Sequence, residues 1–210
     1  MTVRTARRAL RVALFLACLA PLGVLLADGL GGRLGADPIR ATELRTGIWG
    51  LTILVVTLAV TPLRRLTGWN ALGGYRRMLG LFAFTYITLH FLTWFGVDQF
   101  FAVAYIGRDI AKRPYITVGF ASYLLMIPLA VTSRAAAVRR LGRRWATLHS
   151  LVYVAALGGI VHFMWEVKAD MSRPTLYALI LVALLLLRFL PRRAPRAAAR
   201  PAPAEPSAVG

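Results

Sequence analysis

The chain is 210 residues long, with 58% hydrophobic residues, a mean hydropathy of +0.64 and only 16% charged residues. That apolar content excludes an ordinary soluble domain, and the single cysteine, Cys18, excludes an internal disulfide and any cysteine-ligated zinc or iron–sulfur site. A net charge of +18 would suit nucleic acid, but the basic residues sit in short clusters between long apolar runs that hold the aromatics, so no nucleic acid partner is implied.

About 20 mainly apolar residues are needed for a helix to cross the hydrocarbon core. Six runs meet this in chain order: 10–27, 46–63, 78–97, 115–133, 146–165 and 174–190. The predicted fold class is therefore all-α, a polytopic six-transmembrane-helix bundle. Residues 1–9 form a basic N-terminus, 10–190 a single membrane domain, and 191–210, rich in Ala, Pro and Arg, a disordered tail. Gly73, Gly74, Pro114, Pro174 and Pro191 punctuate the junctions, Pro62 falls near a helix end, and Pro128 lies inside the fourth span, as membrane helices tolerate. No internal repeat is apparent. A basic start followed by the apolar stretch 12–27 also has the form of a signal peptide; the later spans keep their orientation either way.

Charge fixes that orientation. The N-terminus, the 64–77 and 134–145 loops and the C-terminal end carry 18 arginines against one acid, Glu205, whereas the other three connectors carry 8 basic and 7 acidic residues. Positive residues stay on the cytoplasmic side, so both termini are expected inside.

All three histidines, His90, His149 and His162, fall inside predicted spans. Ionisable groups in hydrocarbon are costly and mark function by default; the plain alternative is a neutral ring hydrogen-bonded to a neighbouring helix. No cysteine and, apart from Asp98 at the outer end, no carboxylate accompanies them on spans three and five, which disfavours zinc or di-iron chemistry. A haem needs only one or two axial histidines and an apolar pocket. Phe82, Phe84, Tyr86, Phe91, Trp94, Tyr153 and Phe163 are candidates for its lining. At 1.5 Å per residue, His90 lies about 18 Å and His162 about 24 Å from the inner ends of their spans, while His149 is only about 4.5 Å in. His90 and His162 are therefore the matched pair. His149 has no histidine opposite it; its counterparts are Arg76 and Arg77, neither a plausible haem ligand. Arg76, Arg77, Arg143, Arg144 and Trp145 surround it as candidate binding residues, since guanidinium forks suit phosphates and carboxylates, although the positive-inside pattern accounts for most of these arginines without a ligand.

Histidines on the third and fifth of six spans resemble the ferric-reductase-like transmembrane family of haem b proteins. The segments Arg76–Leu81, Lys112–Gly119 and Arg139–Trp145 through His149 are similar, more closely, to the MsrQ (YedZ) family, over roughly residues 40–190. That resemblance implies haem b and FMN as cofactors, with His90, His149 and His162 as the family histidines. It also implies electron transfer from the quinone pool or a cytosolic flavin reductase to a periplasmic molybdopterin-containing methionine sulfoxide reductase, for protein repair. The expected role is an electron-transfer subunit without its own substrate chemistry. A ferric or cupric reductase of the same fold, or a small transporter using the histidines as a relay, are the rival readings. The outer connectors 98–114 and 166–173, with Asp98, Asp109, Lys112, Arg113 and Glu166, are where a periplasmic partner would dock.

Overall fold

The computed structural model describes residues 3–167 and 170–188, and within them the chain is all-helical. Helix α1 runs Val3–Leu30, α2 Pro38–Thr67, α3 Arg76–Leu92, α4 Val103–Lys112, α5 Pro114–Val131, α6 Ala135–Leu141, α7 Arg143–Glu166 and α8 Ser172–Leu186. A 3-10 turn, Asn70–Tyr75, leads into α3, and a π-helical turn, Thr93–Asp98, continues it. Five helical stretches are long and apolar enough to cross a membrane. The sixth, α8, has 15 residues, about 22 Å; the end of its expected span, 189–190, and the expected disordered tail, 191–210, lie outside the described residues.

Several boundaries differ from those expected, for local reasons. Helix α2 begins eight residues early because Asp37 caps it, its carboxylate accepting the Arg40 N–H at 2.9 Å, with Pro38 in the first turn. It runs past Pro62 and ends at Gly68, whose φ of 71° gives the left-handed cap that glycine adopts without strain. Arg4 to Arg8 continue α1 rather than preceding it. The 98–114 connector holds an amphipathic helix, α4, with Ile106 buried and Arg108 and Lys112 on its exposed side. Before it, Phe100 and Phe101 both have positive φ, 48° and 58°, costly for bulky residues, and the Phe101 ring is packed on Gly96 and on Phe95 at 5.3 Å.

Helix α2 is the centre of the bundle, with Leu51, Leu54, Leu58 and Thr57 buried against its neighbours. Its closest partner is α3, while α5 pairs with α7. Small residues set both approaches, Gly50 against Tyr86 and Ile87, and Gly158 against Ser122. Helix α1 is fastened by Tyr86: its hydroxyl accepts the Leu22 N–H at 3.0 Å and donates to the Cys18 carbonyl at 2.8 Å, entering the helix ladder beside Pro21.

The two pairs seat their histidines in the same way. Gly47, Leu79, Ala83, His90 and Phe91 recur, each 72 positions later, as Gly119, Leu151, Ala155, His162 and Phe163, and Ser122 stands where that offset puts Gly50. Leu58-Ala59-Val60-Thr61 returns as Leu129-Ala130-Val131-Thr132, one residue out of that register. The identities are too sparse to stand out in the sequence; equivalent contacts in three dimensions reveal them.

Candidate haem site

Between the two helix pairs lies a cavity of about 510 Å³, within the size range of small-molecule and cofactor sites. His90 enters it from α3 and His162 from α7, with ring centroids 6.1 Å apart and planes inclined at 69°. The two rings are held alike. His90 Nδ1 meets the Glu43 carbonyl at 2.9 Å, and His162 Nδ1 meets the Tyr115 carbonyl at 2.8 Å. A carbonyl only accepts, so Nδ1 carries the proton and donates in both, which leaves the Nε2 lone pair on the opposite edge, toward the cavity. Each ring fits because the helix opposite has a glycine one turn after that carbonyl. A Cβ at Gly47 would stand 3.1 Å from His90 Nδ1, and one at Gly119 only 2.7 Å from His162 Nδ1.

Two imidazoles that share one metal through bonds of about 2.0–2.1 Å have centroids roughly 6 Å apart, close to the 6.1 Å between these rings. Among the described residues, no group of three or more His, Cys, Asp or Glu forms a cage for an ion. Two axial nitrogens and a large aromatic-walled space are instead the requirements of a haem. Phe91 is the centre of that wall, with Tyr123 at 4.7 Å and Phe120 at 5.8 Å. At the mouth, Arg40 pairs with Glu166 and, at 3.6 Å, with Glu43, whose other carboxylate oxygen is buried without a partner. Arg113 reaches Asp109 at 3.3 Å.

Of the seven aromatics expected in the lining, Phe91, Trp94 and Phe163 are there. The other four line other contacts: Phe82 packs edge-on to Phe15, Phe84 stacks on Tyr123, Tyr86 holds α1, and Tyr153 lies under the Arg188 guanidinium at 4.5 Å. Tyr115, Phe120 and Tyr123 were missed, as were the carbonyls and glycines that seat the histidines. The 72-residue recurrence of Gly and His was the available signal.

His149 is elsewhere, 13 residues and about 20 Å along α7 from His162. Thr132 gives its one hydroxyl proton to the Pro128 carbonyl at 2.6 Å, so His149 Nε2–H donates to Thr132 Oγ1 at 2.9 Å. Its tautomer is thus the reverse of the other two. Trp145 stacks on it at 4.0 Å and donates to the Thr132 carbonyl at 3.0 Å, and Arg76 lies within electrostatic reach. Arg76 is half-buried, whereas Arg77, Arg143 and Arg144 are exposed and form no ion pair among the described residues. The structure therefore brings His149, Trp145 and Arg76 together and leaves the other three arginines at the rim.

The family described as ferric reductase like transmembrane component matches residues 46–160. A relative from Rhodospirillum rubrum, named protein-methionine-sulfoxide reductase heme-binding subunit MsrQ, is 53% identical over 86% of this chain and 88% of its own length. Proteins of the same name from Ralstonia nicotianae (52% identical; 86% of this chain, 85% of the relative) and Herminiimonas arsenicoxydans (50%; 83% and 82%) are similar to it as well. No solved structure matches.

Proposed function

Given that this chain belongs to the MsrQ family of ferric-reductase-like transmembrane proteins, we propose that it is the haem-binding, electron-transferring membrane subunit of a methionine sulfoxide reductase system. One observation carries this reading: two imidazoles 6.1 Å apart, each fixed through Nδ1 to a backbone carbonyl. Carbonyl-anchored rings are oriented for metal ligation, in the way outer partners of ligating histidines set tautomer and direction. The same anchoring opposes the relay reading, in which the rings would have to turn to pass protons.

His90 and His162 would hold a haem b through their Nε2 atoms, and the haem supplies one-electron chemistry when bound. Phe91, Phe120 and Tyr123 exclude water from the cavity and so lower its polarity, which favours the less charged, reduced state. Arg40 and Arg113 at the mouth offer guanidinium partners for propionate carboxylates.

At the arginine-rich end, Arg76, Arg77, Arg143 and Arg144 would hold an FMN phosphate, with Trp145 and His149 against the flavin. A flavin needs no axial ligand, which suits a histidine with no histidine opposite. Electrons would enter there, from the quinone pool or a cytosolic flavin reductase. They would leave from the haem at the other end to a periplasmic molybdopterin-containing methionine sulfoxide reductase docked on the 98–114 and 166–173 connectors. In this reading the chain would lie in the inner membrane with both termini cytoplasmic.

The test is haem content. His90→Ala and His162→Ala should each lose most of the b-type Soret and α-band absorbance per protein while still inserting. Full haem content in both variants would refute the ligation.

A further inference from the structure

Far from the cavity, Arg4, Arg7, Arg8 and Arg11 fall at i, i+3, i+4 and i+7 of α1 and so form one stripe along the helix. All four are exposed, and the stripe faces the Asn70–Tyr75 turn across a groove of about 410 Å³. The Tyr75 hydroxyl donates to the Arg7 carbonyl at 3.3 Å and ties the two walls together. Gly74 borders the groove on open space, where a Cβ would meet nothing within 4 Å and a larger side chain has room to enter.

No acidic residue precedes Asp28, and the ion pairs formed among the described residues all lie at the other end of the bundle. Four guanidiniums on one wall offer a dense set of N–H donors, and none of them pairs with a carboxylate among the described residues. The positive-inside pattern needs only a count of charges on one side of the membrane; it calls for neither a shared helix face nor a groove.

We propose that this groove binds the phosphate group of an anionic ligand. Guanidinium forks match phosphate oxygens, and the Asn70 side chain, which also lines the groove, adds an uncharged donor. Two sources share that chemistry: an anionic phospholipid headgroup and flavin mononucleotide. The position, at the end of a membrane-crossing helix, makes the headgroup the leading source. The inference does not rest on haem ligation.

Native mass spectrometry of the full chain tests it, with phosphatidylglycerol, phosphatidylcholine or FMN added. Two variants separate charge from shape: the double variant Arg7→Gln/Arg8→Gln, and Gly74→Leu, which fills the groove without changing charge. Circular dichroism and gel-filtration elution identify any variant that fails to fold, in which case Gly74→Val replaces Gly74→Leu. The expected result is phosphatidylglycerol retained on the unmodified chain in preference to phosphatidylcholine, with occupancy about tenfold lower in both variants. If FMN occupancy falls in both variants while phosphatidylglycerol does not, the phosphate is the flavin's: the groove stands as its site and replaces Arg76, Arg77, Arg143 and Arg144 in that role. Unchanged occupancy of both ligands overturns the proposal. So does a loss confined to the arginine variant, since that reports diffuse surface charge rather than a groove.

Discussion

Gly119→Ala is the sharpest probe of how the histidines are seated. The new Cβ would meet His162 Nδ1 at 2.7 Å and Cγ at 2.9 Å. Restoring an ordinary contact of about 3.5 Å pushes the ring back by roughly 0.8 Å. The 2.8 Å bond to the Tyr115 carbonyl lies on the same side of the ring, so it stretches beyond hydrogen-bond range. The same change at Gly47 meets His90 Nδ1 at 3.1 Å and needs only about 0.4 Å of movement. Losing an outer partner of a ligating histidine costs about 10- to 100-fold in metal affinity. Gly119→Ala should therefore fall in that range, whereas Gly47→Ala should lose only a few-fold. Haem titration of the apoprotein, followed at the Soret band with circular dichroism as the folding control, measures both. Unchanged affinity in Gly119→Ala, or a larger loss at Gly47 than at Gly119, would refute the reasoning.

Other perturbations separate the remaining parts. Tyr86→Phe leaves the Leu22 N–H and Cys18 carbonyl without the hydroxyl that joins them, at a cost of about 1–3 kcal/mol; the midpoint of thermal unfolding in detergent should fall by several degrees with haem content unchanged, and an unaltered midpoint would show that α1 is held otherwise. His149→Ala should slow reduction of the haem from the arginine-rich end more than it lowers haem content; two haems per chain falling to one in this variant would identify His149 as an axial ligand instead. Reporter fusions after residues 70, 105 and 170 should read cytoplasm, periplasm and periplasm, and a periplasmic reading at 70 would reverse both topology and electron path.

The apolar runs made the helices legible, because the bilayer imposes a length that composition alone satisfies. The pairing of His90 with His162 was legible for a related reason, since helical rise turns residue number into depth. Boundaries were less so: α2 starts at Asp37 and Pro38 because a cap overrides hydropathy there. Aromatic roles were not legible, since Tyr86 and Phe91 lie five residues apart on one helical stretch, one reaching α1 and the other the cavity wall. Which side each faces depends on neighbours that only the fold supplies. The carbonyls of Glu43 and Tyr115 left no trace in residue type, because backbone groups are common to every residue.

The two helix pairs give the site a thermodynamic role of its own. His90 belongs to the α2–α3 pair and His162 to the α5–α7 pair, so anything coordinated by both is shared between two closely packed helix pairs. Binding is then linked to assembly: a cofactor present at 100 times its dissociation constant adds about 2.7 kcal/mol to the association of the two pairs. The bundle would loosen between the two pairs when the cofactor is scarce and close on loading. Supply of the cofactor would thus set how much of the protein persists in the membrane.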